Sequence, residues 1–104
     1  MSLEKKRKTA DLLSICLKAG KAVKGFDSAC EAVKNSTAAC ILTAADASAK
    51  TIKEAEFIGG KYNVPVLVSD MTKAEMGMLC GKETAVLAIC DKGFADAFAK
   101  LISH

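Results

Sequence analysis

Three short runs of this chain are apolar almost without a break: AACILTA at residues 38–44, VPVLV at 64–68 and TAVLAIC at 84–90. A strand with one wet face alternates polar and apolar residues, whereas a strand covered on both faces does not. Runs of this length and kind read as strands buried between two layers. Pro65 fits the start of the second run, where no ladder N–H is needed. Such strands can be covered only by what lies between them, and those segments carry helical spacing.

The first helix is expected over residues 4–19, where Leu12, Leu13, Cys16 and Ala19 recur on one face and Gly20 supplies the stop. KAVK, residues 21–24, reads as a short extended piece. A second helix follows over 27–35, with Phe26, Cys30 and Val33 as its apolar stripe. Ser28 and Glu31 have the spacing of a capping box, in which each side chain satisfies a free backbone N–H of the first turn. Asp46 or Ser48 caps a third helix running to about Lys61, with Ile52, Ala55 and Ile58 inward and Gly59 and Gly60 weakening its end. Thr72 and Glu75 repeat the capping-box spacing before a helix that stops near Gly81. Asp91 caps a final helix bearing Phe94, Phe98 and Leu101. Helix and strand thus alternate to the end. The expected fold class is α/β, a three-layer α/β/α sandwich with a central four-stranded sheet, and residues 1–104 form a single domain.

No apolar run approaches the roughly 20 residues of a membrane-spanning helix. The basic N-terminus reads as an amphipathic helix rather than a signal peptide, with KKRK as its solvated start, so a cytoplasmic location is expected. Five cysteines stand at 16, 30, 40, 80 and 90 with no C-x-x-C pair, and most have apolar neighbours. They read as buried, reduced thiols. The one histidine is His104, so neither a Cys/His metal site nor a His-activated cysteine is assembled. No cofactor is expected.

The motifs of catalysis and nucleotide binding fail on spacing. In AGKAVKG, Gly20 and Gly25 are not followed by the Lys-Ser/Thr of a P-loop, because Phe26 comes next. Neither G-x-G-x-x-G nor G-x-S-x-G occurs. Glu54 and Glu56 lie two apart on a helix and point to different faces. An enzyme is not expected.

The charge is uneven. Residues 1–34 carry eight Lys or Arg against four acids, whereas residues 35–104 carry seven against eight. The excess positive charge of the first third suits a polyanion. Lys21 and Lys24 stand just ahead of a helix start, with Gly25 between strand and helix. A helix N-terminus offers unpaired N–H groups and partial positive charge. A glycine there lets another backbone come close. These are the means by which a protein holds phosphate.

In this order, LKAGK at 17–21, ILTAADAS at 41–48, NVPV at 63–66, MGMLCG at 76–81 and TAVLAICDKGFA at 84–95 resemble the ribosomal protein L-seven-Ae and L-thirty-e family, above all its small bacterial members. The resemblance spans residues 12–101. It implies an α/β/α sandwich that binds RNA noncatalytically, in many members a kink-turn with its tandem sheared G·A pairs. In that family the strand-to-helix turn carries a pattern like G-x-N-E-x-T-K. Here the glycine is Gly25, followed by Phe26. The Asn position is Asp27, the Glu position Ser28, the Thr position Cys30 and the Lys position Glu31. Asn both donates and accepts, whereas a carboxylate at Asp27 only accepts. Glu31 turns attraction to phosphate into repulsion, which Lys34, one turn on, offsets in part. A second contact loop of the family matches Gly81, Lys82, Glu83 and Thr84, where Lys82 favours RNA contact and Glu83 opposes it.

The resemblance therefore implies a ribosomal or ribosome-associated protein whose partner is structured RNA, ribosomal RNA among the candidates. The expected contacts are Lys21, Lys24, Gly25, Phe26, Asp27, Ser28, Glu31, Lys34, Lys82 and Thr84. The altered reading residues give the alternative, a protein-interaction module on the same fold with weak RNA binding. A small-ligand domain at the sheet ends is a third reading without a recognisable catalytic set.

Overall fold

A mixed four-stranded sheet of order β1-β4-β2-β3 runs through the centre of the computed structural model, which describes residues 3–103. His104 lies outside the described residues. The chain runs α1 (Leu3–Lys18), β1 (Ala22–Lys24), α2 (Phe26–Lys34), β2 (Cys40–Thr43), α3 (Ala49–Tyr62), β3 (Val66–Val68), α4 (Lys73–Cys80), β4 (Val86–Ile89) and α5 (Lys92–Ser103). β4 pairs antiparallel with both β1 and β2, and β3 lies parallel to β2 at the edge.

The strand side chains divide the core in two. Leu42, Leu87 and Ile89 join Leu13, Cys16, Met76, Ala95 and Phe98 beneath α1, α4 and α5. Ile41, Val86 and Ala88 join Ala29, Ala32, Val33 and Ala55 beneath α2 and α3. Neighbours in one strand thus serve opposite layers, which is why β2 and β4 are unbroken apolar runs buried at every residue. The three-layer sandwich expected from sequence is present. VPVLV departs from the expectation of burial. β3 has a single neighbour, and Val68 is 44% exposed. A continuous apolar run shows that both faces have some cover, not that the strand is central.

The helix ends follow local chemistry, with one correction. Thr72 and Glu75 form the expected reciprocal capping box, and the Phe94 N–H donates to Asp91 Oδ2. Of the two expected caps of α3, Ser48 makes the bond. Asp46 instead accepts from the Lys73 N–H at 2.7 Å, tying the β2–α3 loop to the start of α4. The Ser28–Glu31 box is not made, because α2 begins earlier, at Phe26, and Gly25 occupies the cap position without a side-chain cap. Gly59 has a packing role as well. A Cβ there would lie 2.6 Å from Val64 O, so the glycine lets the chain fold back from the helix end into β3.

The basic N-terminal run is bound to the fold rather than simply solvated. Lys6 pairs with Glu75 of α4 at 3.2 Å, Lys5 donates to Ile102 O of α5 and Lys8 pairs with Glu4. The Thr72 backbone N–H and then Lys6 hold the Glu75 carboxyl below the usual carboxylate range.

Cys16, Cys40 and Cys80 are buried, Cys30 and Cys90 are half-buried, and all five are free. Burial pushes the Cys40 thiol up to about 12 and Cys16 to about 11, and it raises the other three as well. These thiols stay protonated at neutral pH, the unreactive form. In the folded protein at pH 7.5, iodoacetamide is expected to spare Cys16 and Cys40 and to modify Cys30 and Cys90 slowly. Denaturation should open all five, as read by intact-mass spectrometry. Rapid native labelling of Cys40 would contradict the buried assignment. Among the described residues no group of three or more His, Cys, Asp or Glu is placed to hold a metal. No described helix is long and apolar enough to cross a membrane.

Candidate functional site

The turn at Gly25 is held by the sheet and faces a loop distant in sequence. The Gly25 N–H donates to Val86 O at 2.9 Å, which carries the β1–β4 pairing to the edge of α2. Its backbone lies at φ 93° and ψ 154°, a region almost closed to residues with a side chain. A Cβ at Gly25 would meet nothing within 4 Å, so the requirement is torsional and the space in front of the turn is open.

The first intrahelical donor of α2 is the Ala29 N–H, which reaches Gly25 O at 2.9 Å. The N–H groups of Phe26, Asp27 and Ser28 precede it and find no partner inside the helix. In α3, α4 and α5 a side chain of Ser48, Thr72 or Asp91 takes up such a donor, whereas α2 has none. The positive end of this helix is therefore left bare beside exposed Lys24.

The second element is the loop between α4 and β4. Gly81, at φ 92°, ends α4 in the left-handed region. The loop then lies directly on the helix. A Cβ on Gly77 would stand 2.8 Å from Glu83 Cα and 2.9 Å from Glu83 N. Lys24 Nζ donates to Cys80 O at 3.1 Å and joins the two segments. Lys24, Gly25 and residues 81–84 thus lie together at one edge.

The individual expected contacts differ in exposure and position. Asp27, Ser28, Glu31, Lys34 and Lys82 are exposed, and Phe26 is half-buried. Lys21 is exposed but sits at the other end of β1, about 13 Å from Gly25 by strand rise. Thr84 is only 4% exposed, and its hydroxyl donates to Lys82 O at 2.8 Å, so it shapes the loop from inside. Lys34, Phe26, Asp27 and Cys30 line a groove of about 640 Å³ against Lys53, Glu54, Phe57 and Ile58 of α3. Sequence reasoning missed the α3 wall. The signal was there: Phe57 falls off the inward stripe of Ile52, Ala55 and Ile58, which leaves an aromatic ring facing out. It also missed Met78, which is 86% exposed one turn before Gly81.

The chain is similar to known proteins over most of its length. The chain is 30% identical over 97 residues to an RNA-binding protein, YlxQ, of Enterococcus faecium, covering 93% of each. It is 33% identical over 85 residues to the large ribosomal subunit protein eL30 of Methanosarcina mazei, covering 80% of this chain and 79% of that one. A solved structure from Bacillus halodurans superposes with a TM-score of 0.84 at 28% identity, covering 91% of this chain and 96% of the other. By name, the first of these relatives is an RNA-binding protein and the second a ribosomal protein. The family model of the ribosomal protein L7Ae/L30e/S12e/Gadd45 family matches residues 7–99, nearly the whole sandwich with both segments of the Gly25 edge, and the chain belongs to that family.

Proposed function

We propose that the protein is a noncatalytic, cytoplasmic RNA-binding protein, ribosomal or ribosome-associated. It holds a structured, kink-turn-like RNA at the edge formed by Gly25, Lys24 and residues 81–84. One observation carries this reading. The uncapped N-terminus of α2 lies beside a second glycine-ended loop, joined to it by the bond from Lys24 to Cys80. Unpaired backbone N–H groups hold phosphate or base edges without needing particular side chains. The backbone part of the family's turn is therefore kept where its side chains differ. Lys82 and Lys34 supply mobile charge, and Thr84 contributes through the shape of the loop.

The differing side chains set the expected strength. Asp27 and Glu31 lie one helical turn apart and exposed, so they oppose phosphate on the same face. Titration of a fluorescent kink-turn RNA, with a scrambled duplex as control, at two salt concentrations tests the reading. Binding is expected to favour the kink-turn and to weaken with salt at a log–log slope of about −0.7 to −0.9 per phosphate contacted. Glu31→Lys is expected to tighten it severalfold and to steepen the slope by about one contact. Salt-insensitive binding, or equal affinity for both RNAs in wild type and variant, would defeat the kink-turn assignment.

The same two carboxylates favour the second reading, a protein-interaction module with weak RNA binding. Pull-down from ribonuclease-treated extract separates the two. A partner that survives treatment supports the module, and one that disappears points back to RNA.

A further inference from the structure

The groove between α2 and α3 adjoins the edge just described and shares Phe26, Asp27 and Lys34 with it, but its α3 wall is not part of that edge, and its chemistry is particular. The chain has four phenylalanines. Phe98 is buried beneath α1, α4 and α5, and Phe94 packs against the same cluster. The other two, Phe26 and Phe57, both line this groove, and Phe57 is 69% exposed. Cys30 and Ile58 complete the apolar lining. Around it stand two cations, Lys34 and Lys53, and two carboxylates, Asp27 and Glu54. Among the described residues none of these four makes an ion pair or a side-chain hydrogen bond. The α2 wall, from Phe26 to Lys34, is about 12 Å long by helix rise.

We infer that this groove receives an unpaired nucleotide of the RNA held at the Gly25 edge, with its base stacked on Phe57. The inference rests on the proposed RNA reading and extends it to a second contact. Three features fit one nucleotide. A phenyl face accepts any base by stacking, whatever its sequence. The Asp27 and Glu54 carboxylates are acceptors for the amino groups of the base. The Lys34 and Lys53 ammonium groups are positioned for its phosphates. Mixed charge would repel a run of phosphates but suits a single base with one phosphate on either side.

Continuity selects RNA over a protein segment. The groove begins at Phe26 and Asp27, the first two residues of the helix whose bare N-terminus forms the proposed edge.

The test uses two RNAs, a blunt-ended kink-turn duplex and the same duplex with three unpaired adenosines at each 3′ end. The wild type is expected to bind the tailed RNA about tenfold more tightly, the size of one base–aromatic stack. Phe57→Ala, a change at an exposed side chain that leaves the core intact, should abolish the gain and leave affinity for the blunt RNA unchanged. Phe57→Trp should keep the gain. With 2-aminopurine in the tail, fluorescence should be quenched on binding to the wild type and not to Phe57→Ala. Equal affinity for both RNAs, or a gain that survives Phe57→Ala, would overturn the groove assignment alone and leave the groove to a protein partner. Failure of the wild type to bind either RNA would overturn the groove assignment together with the RNA reading beneath it.

Discussion

Gly25→Ala is expected to lower stability by about 2 kcal/mol and RNA affinity by more than tenfold. The stability term is torsional. Gly25 sits at φ 93° and ψ 154°, where a Cβ costs on the order of 1–3 kcal/mol even though it touches nothing. With a denaturant slope of about 2 kcal/mol per molar urea for a domain of this size, the midpoint should fall by about 1 M. The binding term follows from how the chain relieves that strain. Rotation at residue 25 turns the Gly25 N–H away from Val86 O and shifts the first turn of α2, whose free N–H groups form the proposed contact. Gly60→Ala is the matched control. It lies inside α3 with open space where the Cβ would go, so it should be neutral or stabilise by up to about 1 kcal/mol and leave RNA binding alone. Affinity is compared at concentrations where both variants are folded. If Gly25→Ala loses stability but binds RNA as the wild type does, the α2 N-terminus is not the contact.

That prediction depends on a backbone angle, and such angles mark the limit of what the residues alone disclose. Glycine before a helix pointed to a special turn, and the charge excess of residues 1–34 pointed to an anion. Both are local signals. The layering could also be read, because buried strands and striped helices leave few ways to cover a sheet. What could not be read was tertiary. Asp46 had equal claim to cap α3, and only folding showed that it reaches Lys73. Ser28 and Glu31 had the spacing of a cap, yet the helix starts at Phe26, because the Gly25 N–H is already committed to β4. VPVLV carried the composition of a central strand but lies at the edge, since periodicity records burial and not strand order. The groove needed two helices side by side. Its α2 wall was visible in the stripe of Phe26 and Cys30, whereas Phe57 acquires meaning only once α3 lies beside α2.

Gly77→Ala separates the second half of the edge from the first. Alanine is favoured over glycine in a helix interior by up to about 1 kcal/mol, so propensity alone predicts a gain. The packing predicts the opposite. The new Cβ would lie 2.8 Å from Glu83 Cα, 2.9 Å from Glu83 N and 3.0 Å from Lys82 C. All three are backbone atoms, so no rotamer change relieves the overlap, and the loop must rise off α4. Overpacking of this kind costs about 1–3 kcal/mol, which leaves a net loss of roughly 1 kcal/mol. The functional effect should exceed the thermal one. Lifting the loop moves Lys82 and strains the bonds from Thr84 to Lys82 O and from Lys24 to Cys80 O, while the turn at Gly25 keeps its bond to Val86. Amide shifts in an NMR spectrum should concentrate at residues 81–84 and near Lys24, and RNA affinity should fall about tenfold. Lys82→Ala removes the charge without moving the loop. It should weaken binding less and flatten the salt slope by about one contact. If Gly77→Ala shifts the loop resonances but leaves affinity unchanged, the loop is a neighbour of the RNA contact and not part of it, and binding rests on the α2 turn alone.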